Sequence, residues 1–226
     1  MNLIVLGRGK TGSAVAQLAQ ERGHTVRSIG STENATGVAL ARDKLSGIDV
    51  VMDFTTPQAV LGNIAACARA GMSMVVGTTG WYGELDRVRA LVKKSGIGFV
   101  YASNFSVGVN IFFDVARAAA AAGAHGYLTR IMERHHAEKK DSPSGTALKL
   151  KSLLQRAEGP EIEITSIREG ETVGQHIILL DSDNDTMMLV HDSKSRRGFA
   201  DGALLAAEWI CGRKGFFEFS DVLRGK

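Results

Sequence analysis

Two adjacent histidines and two lysines share one short segment, ERHHAEKKDSPSGTALKL, running from Glu133 to Leu150. In an extended chain side chains alternate faces, so His135 and Lys139 would point one way and His136 the other. One face would then present an imidazole, which titrates near neutrality, beside an ammonium, a pairing able to move a proton at neutral pH. Downstream, Ser142-Pro143-Ser144-Gly145-Thr146 has the form of a helix start, with serine at the cap and proline at the first helical position. The amides of Ser144, Gly145 and Thr146 would then make an anion site suited to a carboxylate. Two plainer readings stay open: ordinary surface residues, or a helix-capping loop and nothing more. A metal site is not expected, because vicinal histidines cannot readily reach one ion and His24, His125, His176 and His191 show no ligand spacing.

A second pattern able to do chemistry is GRGKTG (Gly7, Arg8, Gly9, Lys10, Thr11, Gly12), placed between the apolar run LIVLG and the helix-periodic SAVAQLAQERG. Glycines there let a strand-to-helix turn tighten and a pyrophosphate approach the backbone, while the helix N-terminus offers amides and positive dipole. The acid that holds an NAD ribose should follow about 20 residues on. That region reads SIGSTEN: Gly30 stands where the acid is expected, and Glu33 is the only carboxylate close by. Ser31 and Thr32, with Arg8 or Lys10, suit a 2′-phosphate instead. NADH and NADPH both stand, with a lean towards NADPH or dual use.

The elements that must carry these residues alternate. Strand candidates LIVLG, HTVRSI, DVVMDF, SMVVG and IGFVYA are separated by helical stretches, which implies a parallel sheet covered on both faces. Ligands of such sheets lie beyond the carboxyl ends of the strands. Three segments fall there: DFTTP (with Phe54 and Thr55), GTTG (Gly77, Thr78, Thr79) and ASNFSVGVN (Ala102, Ser103, Asn104, Phe105). Their small and hydroxyl-bearing residues leave room for a nicotinamide-ribose, although turns and helix caps use the same residues.

After Asn104 the rhythm changes to an alanine-rich helix over about 109–122, a strand YLTRIMERHH, the histidine segment, a helix over about 144–156, and three strand candidates linked as an antiparallel meander. The expected fold is therefore α/β, a Rossmann-like parallel-sheet domain (1–103 plus 193–226) with an inserted α+β substrate and oligomerisation domain of about four strands (104–192). With 44% hydrophobic and 23% charged residues over 226 positions, the composition is that of an ordinary globular chain. A net charge of +3 without any dense basic run argues against nucleic acid. The two cysteines form no CxxC pair, the opening apolar stretch is too short for a signal core, and no window suggests a membrane helix of ~18 residues. A cytoplasmic location, without membrane or nucleic-acid partners, is expected.

ERHHAEKKDSPSGTA closely resembles the signature of the 4-hydroxy-tetrahydrodipicolinate (dihydrodipicolinate) reductase family. The likeness extends in order through the glycine turn, DFTTP, VVGTTG, NFSVGVN, REGETVGQH and SRRGFADGALLAAEWI. It implies reduction of a cyclic dicarboxylate by hydride from NADH or NADPH, with loss of water, in the diaminopimelate and lysine pathway. It also implies His135 as general acid/base, Lys139 as proton donor, and His136, Ser144, Gly145, Thr146 and Thr79 holding substrate carboxylates. Gly7–Gly12 would hold the pyrophosphate; Phe54, Thr55, Gly77–Thr79 and Ala102–Phe105 the nicotinamide end; Arg196 and Phe199 would approach from the C-terminal segment. Members are usually homotetramers joined through the second domain's sheet. An NAD(P)-dependent dehydrogenase of a related amino or imino dicarboxylate is the alternative. The chain departs from the family in its shorter glycine turn, an abbreviated stretch before DVVMDF, and Ser142 where alanine is commoner.

Overall fold

A computed structural model describes residues 1–225, with backbone alone at Thr36. The chain forms two compact units, Met1–Val107 with the chain from Arg197 onward, and Gly108–Arg196.

In the first unit β1 (Asn2–Leu6), α1 (Lys10–Glu21), β2 (Thr25–Ile29), β3 (Val50–Asp53), α2 (Pro57–Ala70), β4 (Met74–Val76), α3 (Leu85–Ser95) and β5 (Gly98–Tyr101) alternate as the pattern predicts. Both faces of the sheet are buried, and strand alternation divides its residues between two cores. Leu3, Val5, Met52 and Val75 pack with α1, while Ile4, Leu6, Val51 and Val76 join Val60 and Ile64 of α2 and Val88 of α3. Helix α2 has Pro57 in its first turn and ends at Gly71, whose φ of +75° is the left-handed cap glycine tolerates.

The second unit contains α4 (Val107–Ala119), which begins at the boundary, then β6 (Leu128–His135), α5 (Gly145–Leu154), β7 (Glu163–Arg168), β8 (Gly174–Asp181) and β9 (Thr186–Ser193). Its sheet order, β7-β6-β8-β9, corrects the expected meander. β7 pairs parallel with β6 and β8 antiparallel with it. The cause is α5, a crossover helix that returns the chain to the same direction. One sheet face buries Ile131, Ile178 and Leu180 against Phe112 and Phe113 of α4 and Leu150 of α5. The opposite face carries an apolar stripe in register: Met132, Ile177 and Val190, then Leu179 and Met188. Met188 is 62% exposed.

The chain then returns to the first unit as α6 (Arg197–Ile210), β10 (Gly215–Glu218) and α7 (Phe219–Leu223). Strand β10, absent from the sequence reading, extends the sheet to six parallel strands in the order β10-β5-β4-β3-β1-β2. One stretch, Val107–His125, is long and apolar enough by composition to cross a membrane, contrary to expectation. It contains the Asp114–Arg117 ion pair, loosens into 3₁₀ turns after Ala119, and buries Val109, Phe112, Phe113 and Ala116 in the second core.

Candidate active site

β6 delivers His135 as its last residue. In a strand, positions i and i+2 share a face, so Glu133 lies on the same side of the sheet. Its carboxylate, fully buried, accepts the Nδ1–H of His135. The parallel partner β7 places Arg168 opposite His135. Arg168 donates to both Glu133 oxygens, Nη2 to Oε1 at 2.6 Å and Nη1 to Oε2 at 2.9 Å. Such a two-pronged pair is the strong form of the interaction. Burial would raise the Glu133 carboxyl, but the hydrogen bonds from Arg168 and His135 outweigh it and hold it at about 2. Burial lowers His135 below its ordinary value; Glu133 opposes this, while Lys139 and Arg168 add to it.

On the other side β8 sets His176 against Glu133. Its ring stands edge-on to His135 at 5.2 Å, and its Nε2 lies 3.1 Å from Ser144 Oγ. Burial drives its titration down to about 3, so it is neutral at pH 7. The ligand-capable atoms of Glu133, His135 and His176 lie within 4.8 Å of one another. Sequence spacing did not reveal that grouping. Both Glu133 oxygens already face the Arg168 guanidinium, so a cation balances the carboxylate without a metal.

The cap of α5 is Ser144, two residues later than expected: its Oγ accepts the Ala147 amide at 3.2 Å, and Pro143 precedes the helix. The Ser144 amide donates to Glu133 Oε1 at 3.3 Å, which removes it from the expected anion site. Gly145 opens the helix, and a Cβ there would meet nothing within 4 Å. A carboxylate can therefore approach the first turn, where helix amides lack intrahelical acceptors.

The alternation argument for Lys139 fails, because β6 ends at His135 and the chain turns, Lys139 N–H donating to the His136 carbonyl at 3.1 Å. Its ammonium grips Asp141 at 2.7 and 2.8 Å. Burial would raise the Asp141 carboxyl; the Lys139 bond and charge lower it below its ordinary value. Arg196 donates to His136 Nε2 at 3.2 Å.

In the first unit the glycine turn is built around its neighbours. A side chain at Gly7, which has φ of +97°, would collide with the Phe54 carbonyl, and one at Gly12 with the Gly7 carbonyl. Gly9 differs: it caps α1 with no side-chain bond, and a Cβ there would meet nothing within 4 Å. Open space before uncapped helix amides fits a pyrophosphate. Arg8, Lys10 and Thr11 are exposed around it. At the end of β2, Glu33 accepts the Gly30 amide at 2.9 Å and pairs with Arg8 at 2.5 Å.

Asp53, buried at the end of β3, organises the nicotinamide-side loops. Its Oδ1 accepts the Thr55 amide (3.0 Å) and hydroxyl (2.7 Å) and the Thr78 hydroxyl (2.7 Å). Its Oδ2 accepts Asn63 Nδ2 at 2.8 Å, and Asn63 in turn accepts Asn34 Nδ2 at 2.9 Å. The Thr55 and Thr78 hydroxyls thus hold the loops together, whereas Thr79 is exposed. Phe54 is half-buried, and a Cβ on Gly77 would strike its ring. Ala102 is buried and Ser103 exposed; Asn104 Oδ1 accepts the Ser106 amide at 2.8 Å. Phe105 is a core residue, packed on Phe219 at 5.0 Å, and Phe199 sits half-buried in the first turn of α6.

A parallel sheet with an open glycine turn, followed by a mixed sheet that anchors a histidine on a carboxylate, is the outline of a two-domain nicotinamide-dependent oxidoreductase. The chain belongs to the dihydrodipicolinate reductase family. Residues 1–105 match its N-terminal part ("Dihydrodipicolinate reductase, N-terminus") and 108–223 its C-terminal part ("Dihydrodipicolinate reductase, C-terminus"). The 4-hydroxy-tetrahydrodipicolinate reductase of Christiangramia forsetii is 36% identical over 244 aligned residues, covering 99% of this chain and 98% of that one. The enzyme of the same name from Thiobacillus denitrificans is 36% identical over 215 residues, covering 86% and 80%. Among solved structures, the dipicolinate-bound dihydrodipicolinate reductase of Paenisporosarcina sp. TG-14 superposes with a TM-score of 0.78 at 23% identity, covering 98% of each chain. A reductase family with this nucleotide-binding domain implies a nicotinamide cofactor.

Proposed function

We propose that this chain reduces 4-hydroxy-tetrahydrodipicolinate to tetrahydrodipicolinate in the diaminopimelate and lysine pathway. Substrate, reduced nicotinamide and a proton give product, oxidised nicotinamide and water. When bound, the nicotinamide supplies the hydride. The chain supplies the rest: Gly9 and the first turn of α1 receive the pyrophosphate, and the Asp53-tethered loops at Phe54–Thr55, Gly77–Thr79 and Ala102–Asn104 border the ring. In the second unit Gly145, Thr146 and His136, with Arg196 behind it, hold carboxylates, and Lys139 and His135 handle the proton. Thr79 is the first unit's candidate for a carboxylate contact. The observation that carries the reading is the buried Glu133–His135 pair beside a helix N-terminus left open at Gly145.

Glu33 and Arg8 support use of both cofactors: the carboxylate suits a ribose hydroxyl and the guanidinium a 2′-phosphate, each restraining the other. The stripe of half-buried Ile177 and Leu179 with exposed Met132, Met188 and Val190 supports a homotetramer joined through the second sheet, since contiguous apolar patches mark association. Free thiols at Cys67 and Cys211 suit the cytoplasm.

The test condenses pyruvate with aspartate semialdehyde through a synthase and follows nicotinamide absorbance. Oxidation dependent on the condensation product is expected, with Lys139→Ala lowering kcat by about 10²-fold or more. No oxidation above background rejects the reading. Reduction of NADP⁺ by an amino dicarboxylate would favour the dehydrogenase alternative.

A further inference from the structure

The segment REGETVGQH, Arg168 to His176, joins β7 to β8 and supplies no residue to the reaction as proposed above. Three of its positions nevertheless converge on His135. Arg168 grips both oxygens of Glu133 and also donates to the Asp141 carbonyl at 2.8 Å, tying down the loop that carries Lys139. A carboxylate so held only accepts, so the proton between it and His135 resides on Nδ1. Gly174 lies against the other nitrogen: a Cβ there would stand 3.0 Å from His135 Nε2 and 3.3 Å from its Cδ2. His176 buttresses the ring edge-on at 5.2 Å and reaches the α5 cap through Ser144 Oγ at 3.1 Å.

We propose that Arg168, Gly174 and His176, with Glu133, are positioning residues that hold His135 as the Nδ1-protonated neutral tautomer with Nε2 clear to accept a hydrogen bond. His135 then orients the proton donor or the substrate, and Lys139 supplies the proton. The inference deepens the role of His135 proposed above and rests on that reading for its catalytic consequence. The charged and titratable groups acting on His135 are Glu133, which favours its protonation, and Lys139 and Arg168, which oppose it; His176 stands beside it. A neutral imidazole agrees with the burial-driven lowering of its titration.

Nitrogen-15 imidazole NMR on the free protein tests the tautomer without any substrate. The wild type should show His135 with a protonated Nδ1 and a bare Nε2 at neutral pH. Glu133→Gln removes the group that favours protonation, so the His135 midpoint should fall; Arg168→Met removes an opposing cation, so it should rise. General loosening of the fold would instead move both towards the ordinary histidine value. In turnover, Glu133→Gln should lower kcat by about 10²-fold with the cofactor KM unchanged, the scale of a misplaced reacting group. Gly174→Ala, which keeps every charge, should retain the Nδ1 tautomer yet lose kcat, and it serves should the Glu133 variant not fold. His135 protonated on Nε2, or variants with wild-type midpoints and kcat, overturns the proposal. Failure of the wild type to turn over rejects the substrate reading but leaves the tautomer result standing.

Discussion

Replacing Glu133 by glutamine should change stability in a pH-dependent way whose size follows from the site. The folded carboxyl sits at about 2 against an ordinary 4.5: burial raises it, and the bonds from Arg168 and His135 lower it further. Its side chain is wholly buried, so solvent screening does not discount the difference. At about 1.4 kcal/mol for each tenfold change in proton affinity, the ionised carboxyl contributes about 3 kcal/mol. Because the folded value lies below the unfolded one, this contribution is complete above about pH 4.5 and is lost as pH falls towards about 2. Glutamine has the same shape and no titration. Urea unfolding of both proteins should show Glu133→Gln weaker by about 3 kcal/mol at neutral pH, the gap narrowing by about 1.4 kcal/mol per pH unit below about 4.5. Between about pH 6.5 and 4.5 the gap should hold or widen, since losing the carboxylate lowers the His135 titration further. A gap of the same size at every pH would show that Glu133 is not held as an anion by Arg168.

Three further outcomes are expected. Gly9→Ala should cost no more than about 1 kcal/mol, the difference between the two residues at an N-cap, yet raise the cofactor KM at least tenfold (~10), whereas Gly12→Ala should cost about 3 kcal/mol by driving a methyl into the Gly7 carbonyl; thermal melts with cofactor titrations check both. Glu33→Gln should shift the ratio of kcat/KM for NADPH over NADH upward by about tenfold, one hydrogen-bonded charge being worth about 1.4 kcal/mol; an unchanged ratio removes Glu33 from cofactor choice. Met188→Glu should reduce the native mass measured by light scattering to that of smaller species, and an unaltered mass would place the subunit contacts elsewhere.

Much of the first unit was legible because its signals are local. GRGKTG lies between an apolar run and an amphipathic helix, and Pro57 and Gly71 punctuate α2 within a few residues of where the pattern places them. What escaped depends on pairing across the chain. Strand β10 is a four-residue GFFE following a helix, too short to show alternation, and only its register with β5 makes it a strand. The spacing of β7 suits a meander, because hairpin-length spacing does not tell which neighbour a strand will choose. Asp53 reads as part of a strand end, since its partners Thr55, Thr78 and Asn63 come from two loops and a helix. In the candidate site, His135 and Lys139 are legible by residue type, but strand alternation does not relate them, because the strand stops at His135. Glu133 was within reach of the period-two rule, two residues before His135 on a predicted strand. Arg168 and His176 were not, because only the sheet brings them beside it.

The defining step of this chain is hydride transfer from a nicotinamide onto its cyclic substrate. The direct measurement uses NADPH carrying deuterium at both positions of nicotinamide C4, with the substrate generated in place and the product analysed by mass spectrometry. One deuterium should appear in each tetrahydrodipicolinate formed, matched one-to-one by NADP⁺. Unlabelled product, or cofactor oxidised without labelled product, would rule out direct hydride transfer.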